Sequence, residues 1–496
     1  MSDKTREAPP RAGAMLEALR GLGYSTGAAI ADIIDNSISA GAARVNVDFA
    51  WEGANSRISV LDDGRGMLDA ELESAMTLGD KSPLDERAPG DLGRFGMGLK
   101  TASLSQCRRL TVASKKDGAC TCLRWDLDEM AKRPNDGWLL FEGPAQGSEP
   151  YFDGLWARER GTLVMWEAMD RIVANSFTAD DFGDLVDRVE AHLAMVFHRL
   201  LAGTRPKLRI VLNGRPVAPW DPFMAGHAAK TWASPTEKVK SEAGVVSVEC
   251  HVLPHKDKLS PDDFARGAGP NGWNAQQGFY VYRNERLLLA GGWLGLGQGR
   301  AWNREESYRL ARIQLDIPNT ADAAWKIDIR KSIARPPASM RAGLTRLAED
   351  TRERARKVFA YRGSPTGPRG SSPIELAWRV EHGKDGARYR IDEKHPAVAA
   401  ALEACGGQAA LVKAMLRVVE ETVPVQRIWL DTAENKDTPR TGFSGEPNDA
   451  IYQVMETLYA DMVGRKSMSP ELARKALLCM EPFQNYPSLV ERLVHE

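Results

Sequence analysis

At Gly41 the spacing of apolar residues changes from three or four to two. Before it, "AIADIIDNSISA", residues 29–40, carries Ile30, Ile33, Ile34 and Ile38 at helical intervals, with Ser25 or Thr26 to cap its start and Gly41 to end it. After it, "RVNVDFA" and "RISVLDD" alternate apolar and polar residues, the period of a strand with one buried face. Further strands are expected at "RLTVAS", "CTCLRWD", "WLLFE" and "GTLVMWE". This order predicts an α+β layer over the first 170 or so residues, a sheet covered on one face by helices.

The helical run at 180–201 is expected to join this layer to a second strand-rich block. There, Asn213 and Gly214 signal a hairpin, and "VSVECHVL", "GFYVYRNERLLLA" and "ARIQLDI" continue a sheet closed by a helix over 339–360. "YRGSPTGPRGSSP" is a linker by composition. The expected organisation is 1–175 and 176–362 as two α+β domains, 363–373 as linker and 374–496 as a mainly helical unit.

Charge excludes one class of partner mechanism: 66 lysines and arginines against 67 acidic residues give no global positive field to hold the chain on nucleic acid. The six cysteines form no C-x-x-C pair, which suits a reducing compartment and buried free thiols. The first fourteen residues lack an apolar signal core and no run approaches 18 apolar residues, so a cytoplasmic protein with no membrane partner is expected. The eight histidines show no metal-ligand spacing, and His192 and His198 are expected at the surface of the connecting helix.

Three segments of the first domain carry chemistry. On the opening helix Asp32 and Asn36 are four apart and share a face, with Asp35 alongside. "LDDGRGM" sets Asp62 at a strand end, followed by Gly64, Gly66 and Met67, where a carboxylate beside accessible backbone can accept from an exocyclic amine such as that of adenine. "DLGRFGMGLKTASLS" places Gly93, Gly96 and Gly98 ahead of Lys100 and a helical run, so that backbone amides and a helix N-terminus can approach phosphate oxygens. It is neither a Walker loop, since Leu99 separates Gly98 from Lys100, nor a dinucleotide fingerprint, since no strand precedes it.

In this order, "AIADIIDNSISA", "DDGRGM", "GRFGMGLKTAS" and "GTLVMWE" resemble the GHKL ATPases: gyrase, the large heat-shock chaperones, histidine kinases and MutL. With the later "IDIRKS", the chain is most similar to the MutL and MORC branch, and in particular to prokaryotic MORC-like ATPases of restriction and phage-defence gene clusters. The resemblance implies a GHKL (Bergerat) α/β sandwich followed by a ribosomal-protein-like transducer domain. It implies Asn36 as Mg²⁺ ligand, Asp62 as adenine anchor with Thr162 beneath the base, and Gly64, Gly66 and Met67 around it. Gly93, Gly96, Met97, Gly98, Leu99, Lys100 and Thr101 would form the phosphate loop and lid.

Asp32 stands where these relatives have the glutamate that activates water. Aspartate is shorter by one methylene, and a displacement of about 1 Å can cost on the order of 10²-fold in rate, so slow hydrolysis is expected. Asp35 is the rival base, pointing about 100° away from Asn36 around the helix. In "WKIDIRKS", Lys331 resembles the lysine that the transducer domain sends to the γ-phosphate, with Lys326 the alternative. The function implied is an ATP-binding, slowly hydrolysing gate that forms a homodimer on ATP binding. Its client would be DNA in a defence setting, with helicase or nuclease partners.

The rival class is a nucleotide-gated scaffold that binds ATP without hydrolysing it. A histidine kinase is disfavoured because no histidine-bearing dimerisation helix precedes the first motif, and the "DIRKS" segment argues against a chaperone. Phe279, Tyr280, Val281 and Tyr282 beside Arg283 and Arg286 read as a packed strand rather than a stacking surface for nucleic acid. The basic residues from Arg346 to Arg362, broken by Glu349, Asp350 and Glu353, read as a salt-bridged solvated helix.

Overall fold

A computed structural model describes residues 10–80, 97–133, 136–173, 176–229, 232–241, 244–321, 324–328, 331, 333–360, 375–383, 386–428, 449–464, 467–480 and 483–493. The expected linker at 363–373, and Gly93 and Gly96 of the phosphate loop, lie outside these residues. The chain divides into two compact units, Met1–Ala360 and Tyr361–Glu496.

In the first unit, α1 (Ala12–Arg20) precedes α2 (Thr26–Ser39). The Ser25 hydroxyl accepts from the Ala28 amide at 3.3 Å, and Gly41 leaves the helix at φ 74°, a conformation glycine adopts without penalty. Strands β1 (Arg44–Ala50) and β2 (Arg57–Asp62) bury alternate residues and pair antiparallel, Val45 opposite Asp62 and Val47 opposite Val60. Helices α3 (Asp69–Met76) and α4 (Gly98–Leu104) follow, then β3 (Arg109–Lys116), β4 (Ala119–Asp126) and α5 (Leu127–Ala131). Next come β5 (Phe141–Glu142), α6 (Asp153–Trp156), β6 (Gly161–Glu167) and α7 (Ala179–Val196).

The sheet expected on one covered face is covered in part on the other as well. At its centre β6 is buried through six successive residues, and Phe152 and Leu155 close over Ala113, Leu163 and Met165 on the face away from the main core. A strand with both faces buried reads as a continuous apolar run, and "TLVMW" is one.

The Asn213–Gly214 hairpin forms, with φ of 44° and 79°, the positive pair that a two-residue turn requires. It belongs to the first sheet, however. After α8 (His198–Leu201), β7 (Arg209–Leu212) runs parallel to β1 and β8 (Arg215–Pro216) completes the order β5-β4-β3-β6-β2-β1-β7-β8. The Phe49 amide donates to the Asn213 side chain at 2.7 Å. The layer therefore runs to residue 216, past the boundary expected at 175, because a turn signal is local and does not say which sheet its strands join.

The second sheet contains β9 (Trp232–Ala233), β10 (Glu237–Ser241) and β11 (Gly244–Val252), followed by helices α9 (Pro261–Ala268) and α10 (Gly272–Ala275). It continues with β12 (Gly278–Arg283), β13 (Arg286–Ala290) and β14 (Ala311–Asp316), in the order β10-β11-β14-β12-β13. Helix α11 (Ala338–Ala360) packs Met340, Leu344, Ala348 and Ala355 into the core of one face. Phe279 and Val281 enter that core; Tyr280 and Tyr282 enter a second cluster with Met195 of α7. Buried on both faces, β12 is packed as expected, and α7 locks the two layers together.

On α11, Arg354 pairs with Asp350 and Lys357 with Glu353, as expected of a solvated helix. Arg352 departs from that pattern: its guanidinium lies 3.9–4.7 Å from the ring centres of Trp293, Trp302 and Tyr308. His192 and His198 are also displaced from the expected surface. The ring of His192 packs under Gly27, where an added Cβ would stand 3.0 Å away, and His198 Nε2 lies 2.8 Å from the Tyr282 hydroxyl. All six cysteines are free, but only Cys107 and Cys250 are buried.

The second unit is mainly helical, with helices at Pro396–Ala404, Ala409–Glu421, Asp449–Gly464 and Pro470–Leu478 around a core that includes Met455, Leu458 and Leu477. It also contains an antiparallel hairpin, β15 (Trp378–Gly383) with β16 (Gly386–Ile391), absent from the sequence expectation.

Candidate nucleotide site

The site is built along α2, whose apolar stripe seats it on the first sheet. At its C-terminal end lies Asp62, buried at the end of β2. One carboxylate oxygen accepts from the Gly64 amide at 2.9 Å and the Thr162 amide at 3.2 Å; the other accepts from the Ser37 hydroxyl at 2.7 Å. Burial pushes this carboxyl above its ordinary range, against the lowering by those three bonds. Each carboxylate oxygen can take two donors, so the Ser37-bonded oxygen has capacity for one more.

The glycines beside it are there for space. A Cβ on Gly64 would stand 2.9 Å from that of Ala40, and one on Gly66, at φ 70°, would stand 2.1 Å from the Lys115 carbonyl oxygen. The Met67 amide donates to the Ser114 hydroxyl at 2.8 Å, and that hydroxyl lies 3.0 Å from the Thr162 hydroxyl. Asp62, Gly64, Gly66, Met67 and Thr162 are thus brought together. Ser37 and Ser114, which hold them, were not singled out in the sequence; a small polar residue inside each buried apolar run was the available signal.

One turn back along α2, Asp32 and Asp35 are buried and Asn36 is exposed. The Tyr24 hydroxyl donates to Asp32 Oδ2 at 3.1 Å and the Lys331 ammonium to Asp32 Oδ1 at 3.0 Å. Lys331 also donates to Asp35, as does Arg286, whose Nε lies 3.2 and 3.1 Å from the two oxygens. Burial alone would raise Asp35, but Arg286 and Lys331 outweigh it and hold the carboxyl below its usual range. The structure therefore brings Lys331 to Asp32, while Lys326 is exposed. Arg286, expected only as part of a packed strand segment, is a further residue of the site that the sequence reading missed.

The phosphate segment adjoins the same carboxylates. Helix α4 starts at Gly98, where a Cβ would lie 4.0 Å from Asp32 Oδ2, so the positive end of α4 faces α2. Thr101 donates back to the Met97 carbonyl at 3.0 Å and Leu99 is partly buried. Lys100 departs from its expected place at the phosphates. It is buried, and its ammonium donates to the carbonyls of Ala75 and Thr77 at 2.9 and 2.8 Å, a cation on the C-terminal end of α3.

Residues 24–162 match the family described as histidine kinase-, DNA gyrase B-, and HSP90-like ATPase. Among similar proteins are the ATPase morc-1 of Caenorhabditis elegans, 34% identical over 95 residues, or 19% of this chain and 11% of that protein. The DNA mismatch repair protein MutL of Sphingopyxis alaskensis is 32% identical over 135 residues, 26% of this chain and 21% of its own. MutL of Rhizorhabdus wittichii is 34% identical over 118 residues, 24% and 18%. The chain thus spans about a tenth to a fifth of the curated relatives it matches. Residues 24–162 therefore carry a domain of the GHKL type, and the chain is similar in sequence to MORC and MutL proteins over a part of its length.

Proposed function

We propose that this chain is a Mg²⁺-ATP-dependent molecular gate that hydrolyses slowly, closes as a homodimer when ATP binds, and acts on or near DNA in a prokaryotic defence or restriction system. The observation that carries this reading is the reach of Lys331, from beyond the second sheet, to Asp32 on the helix that lines the nucleotide pocket. A cation so placed can report the terminal phosphate of a nucleotide to the second layer.

The residues present fit ATP. The spare capacity of Asp62 matches an exocyclic amine, and the contacts at Gly64 and Gly66 leave no room for side chains beside it. Among the described residues no group of three His, Cys, Asp or Glu is arranged for a metal ion, so Mg²⁺ would rest on Asn36, nucleotide oxygens and water. When bound, the ion neutralises charge on the leaving diphosphate. Asp32 takes the proton of the attacking water, oriented by the Tyr24 hydroxyl on its second oxygen. Lys331 moves from the carboxylates to the phosphate, and Asn36, exposed four residues after Asp32 on α2, would hold the metal.

A second reading, a scaffold that binds ATP without turning it over, is favoured by one observation: both Asp32 oxygens already carry donors, and the side chain is one methylene short for the role. Phosphate release with Mg²⁺-ATP, with and without double-stranded DNA, in wild type and Asp32→Asn separates the two. Turnover lost in the variant and raised by DNA supports the gate; ATP bound but unhydrolysed supports the scaffold. Sedimentation with a non-hydrolysable ATP analogue tests dimer closure. Among the described residues no helix is long and apolar enough to cross a membrane.

A further inference from the structure

Four charges from two layers meet beside α2, and their formal sum is zero. Asp32, Asp35, Arg286 and Lys331 have side chains 5%, 2%, 5% and 11% exposed. The two cations are not equivalent. Arg286 straddles Asp35 through Nε, adds an Nη2 contact at 3.1 Å, and is anchored by Nη1 on the Leu287 carbonyl at 2.8 Å. Its backbone begins β13, directly after the Asn284–Glu285 turn, and its guanidinium lies 5.9 Å from the Phe197 ring centre. Lys331 is a point charge on a flexible stem, shared between Asp32 and Asp35.

We propose that Arg286 is a positioning residue: it neutralises Asp35 permanently, so that Lys331 is exchangeable and can leave the α2 carboxylates for the terminal phosphate of a nucleoside triphosphate. The inference rests on the gate reading above and deepens it. With Arg286 in place, departure of Lys331 leaves Asp35 hydrogen-bonded to the guanidinium, while Asp32 keeps only the longer contact of Arg286 Nη2 with its Oδ1 at 3.6 Å and becomes the less compensated carboxylate. That assigns the base to Asp32 and removes Asp35 from the contest. Without Arg286, two buried carboxylates share one lysine, and releasing it would leave two negative charges together beside an incoming polyanion.

The test is equilibrium binding of Mg²⁺-ATP and Mg²⁺-ADP by calorimetry, with a thermal melt, on the full chain as wild type, Arg286→Met, Asp35→Asn and the double variant. Arg286→Met should weaken ATP about tenfold or more, and ADP, which has no terminal phosphate for Lys331, by less than about threefold. Adding Asp35→Asn should return ATP affinity to within about threefold of wild type and recover the melting temperature. Unchanged ATP binding in Arg286→Met, or equal weakening of both nucleotides without rescue, overturns the proposal and leaves Arg286 a packing residue. If Arg286→Met does not fold, Asp35→Asn is compared with the double variant. There, loss of Arg286 should change ATP affinity by less than about threefold, and a loss of about tenfold overturns the proposal. A wild-type chain that binds neither nucleotide overturns the gate reading itself, a separate failure.

Discussion

Replacing Asp62 by asparagine separates the carboxylate's part in the fold from its part in the site. The amide oxygen can keep the bonds from the Gly64 and Thr162 amides at 2.9 and 3.2 Å. The new NH₂ takes the place of the oxygen that Ser37 bonds. Ser37 can then accept from it and donate to the Ile33 carbonyl, now 3.4 Å away. Because burial raises the Asp62 carboxyl above 3.8, its stabilising contribution is complete below that pH and declines as pH rises through the raised value. At pH 7 the ionised group carries a penalty that asparagine lacks, so the variant should melt at the same temperature as wild type or higher.

Nucleotide binding should move the other way. The variant loses a charge-assisted hydrogen bond, about 1.5–3 kcal/mol, and meets an exocyclic amine with a donor of its own. A combined loss of about 3 kcal/mol is roughly 10²-fold in Kd. Calorimetry with Mg²⁺-ATP and a melt at pH 7 read the two effects on one sample. An affinity within about threefold of wild type would show that Asp62 is not the adenine contact. A melt lowered by several degrees would show that the carboxylate serves the fold first.

Gly66→Ala should lower stability by about 1–3 kcal/mol or more, since φ 70° is unfavourable for alanine and its Cβ would meet the Lys115 carbonyl; a denaturant titration reads it. Lys100→Met should lower the melting temperature by uncapping α3 while changing ATP affinity by less than about threefold, whereas a tenfold loss of affinity would return Lys100 to the phosphates. His192 is held neutral by burial and by Arg286, with its pKa lowered from 6.5 to about 4. The unfolded chain therefore takes up a proton first, and stability falls as pH drops from 6.5 towards 4, by about 2 kcal/mol at pH 5. Melts of His192→Gln against wild type at pH 7 and 5 should show that slope flattened.

What was legible in the sequence is what is local. The alternation in β1 and β2, the helical stripe of α2, and the glycines around Asp62 all follow from neighbours within a few residues. Arg286 was not legible, because its partner Asp35 lies 251 residues away and no spacing rule connects a strand-start arginine to a helix carboxylate. The Asn213–Gly214 turn was read correctly as a turn and assigned to the wrong sheet for the same reason: β7 finds its partner in β1, not in its sequence neighbours. Lys100 was misplaced because an i-to-i+2 offset from a glycine cannot distinguish an ammonium directed at phosphate from one directed back at α3. Ser37 lay inside the quoted helix without being singled out, and only the position of Asp62 gives it a task.

The parallel pairing of Arg44 with Arg209 also sets a schedule for synthesis. At about 5–20 residues per second, the ribosome needs roughly ten to thirty seconds after β1 emerges before β7 exists to cover it. During that interval β1 offers an open edge carrying Val45, Val47 and Phe49, the kind of surface on which nascent chains stick to one another. Arg44 and Asp48, both exposed on the same strand, interrupt it with charge, and they guard the unfinished sheet until translation supplies its partner.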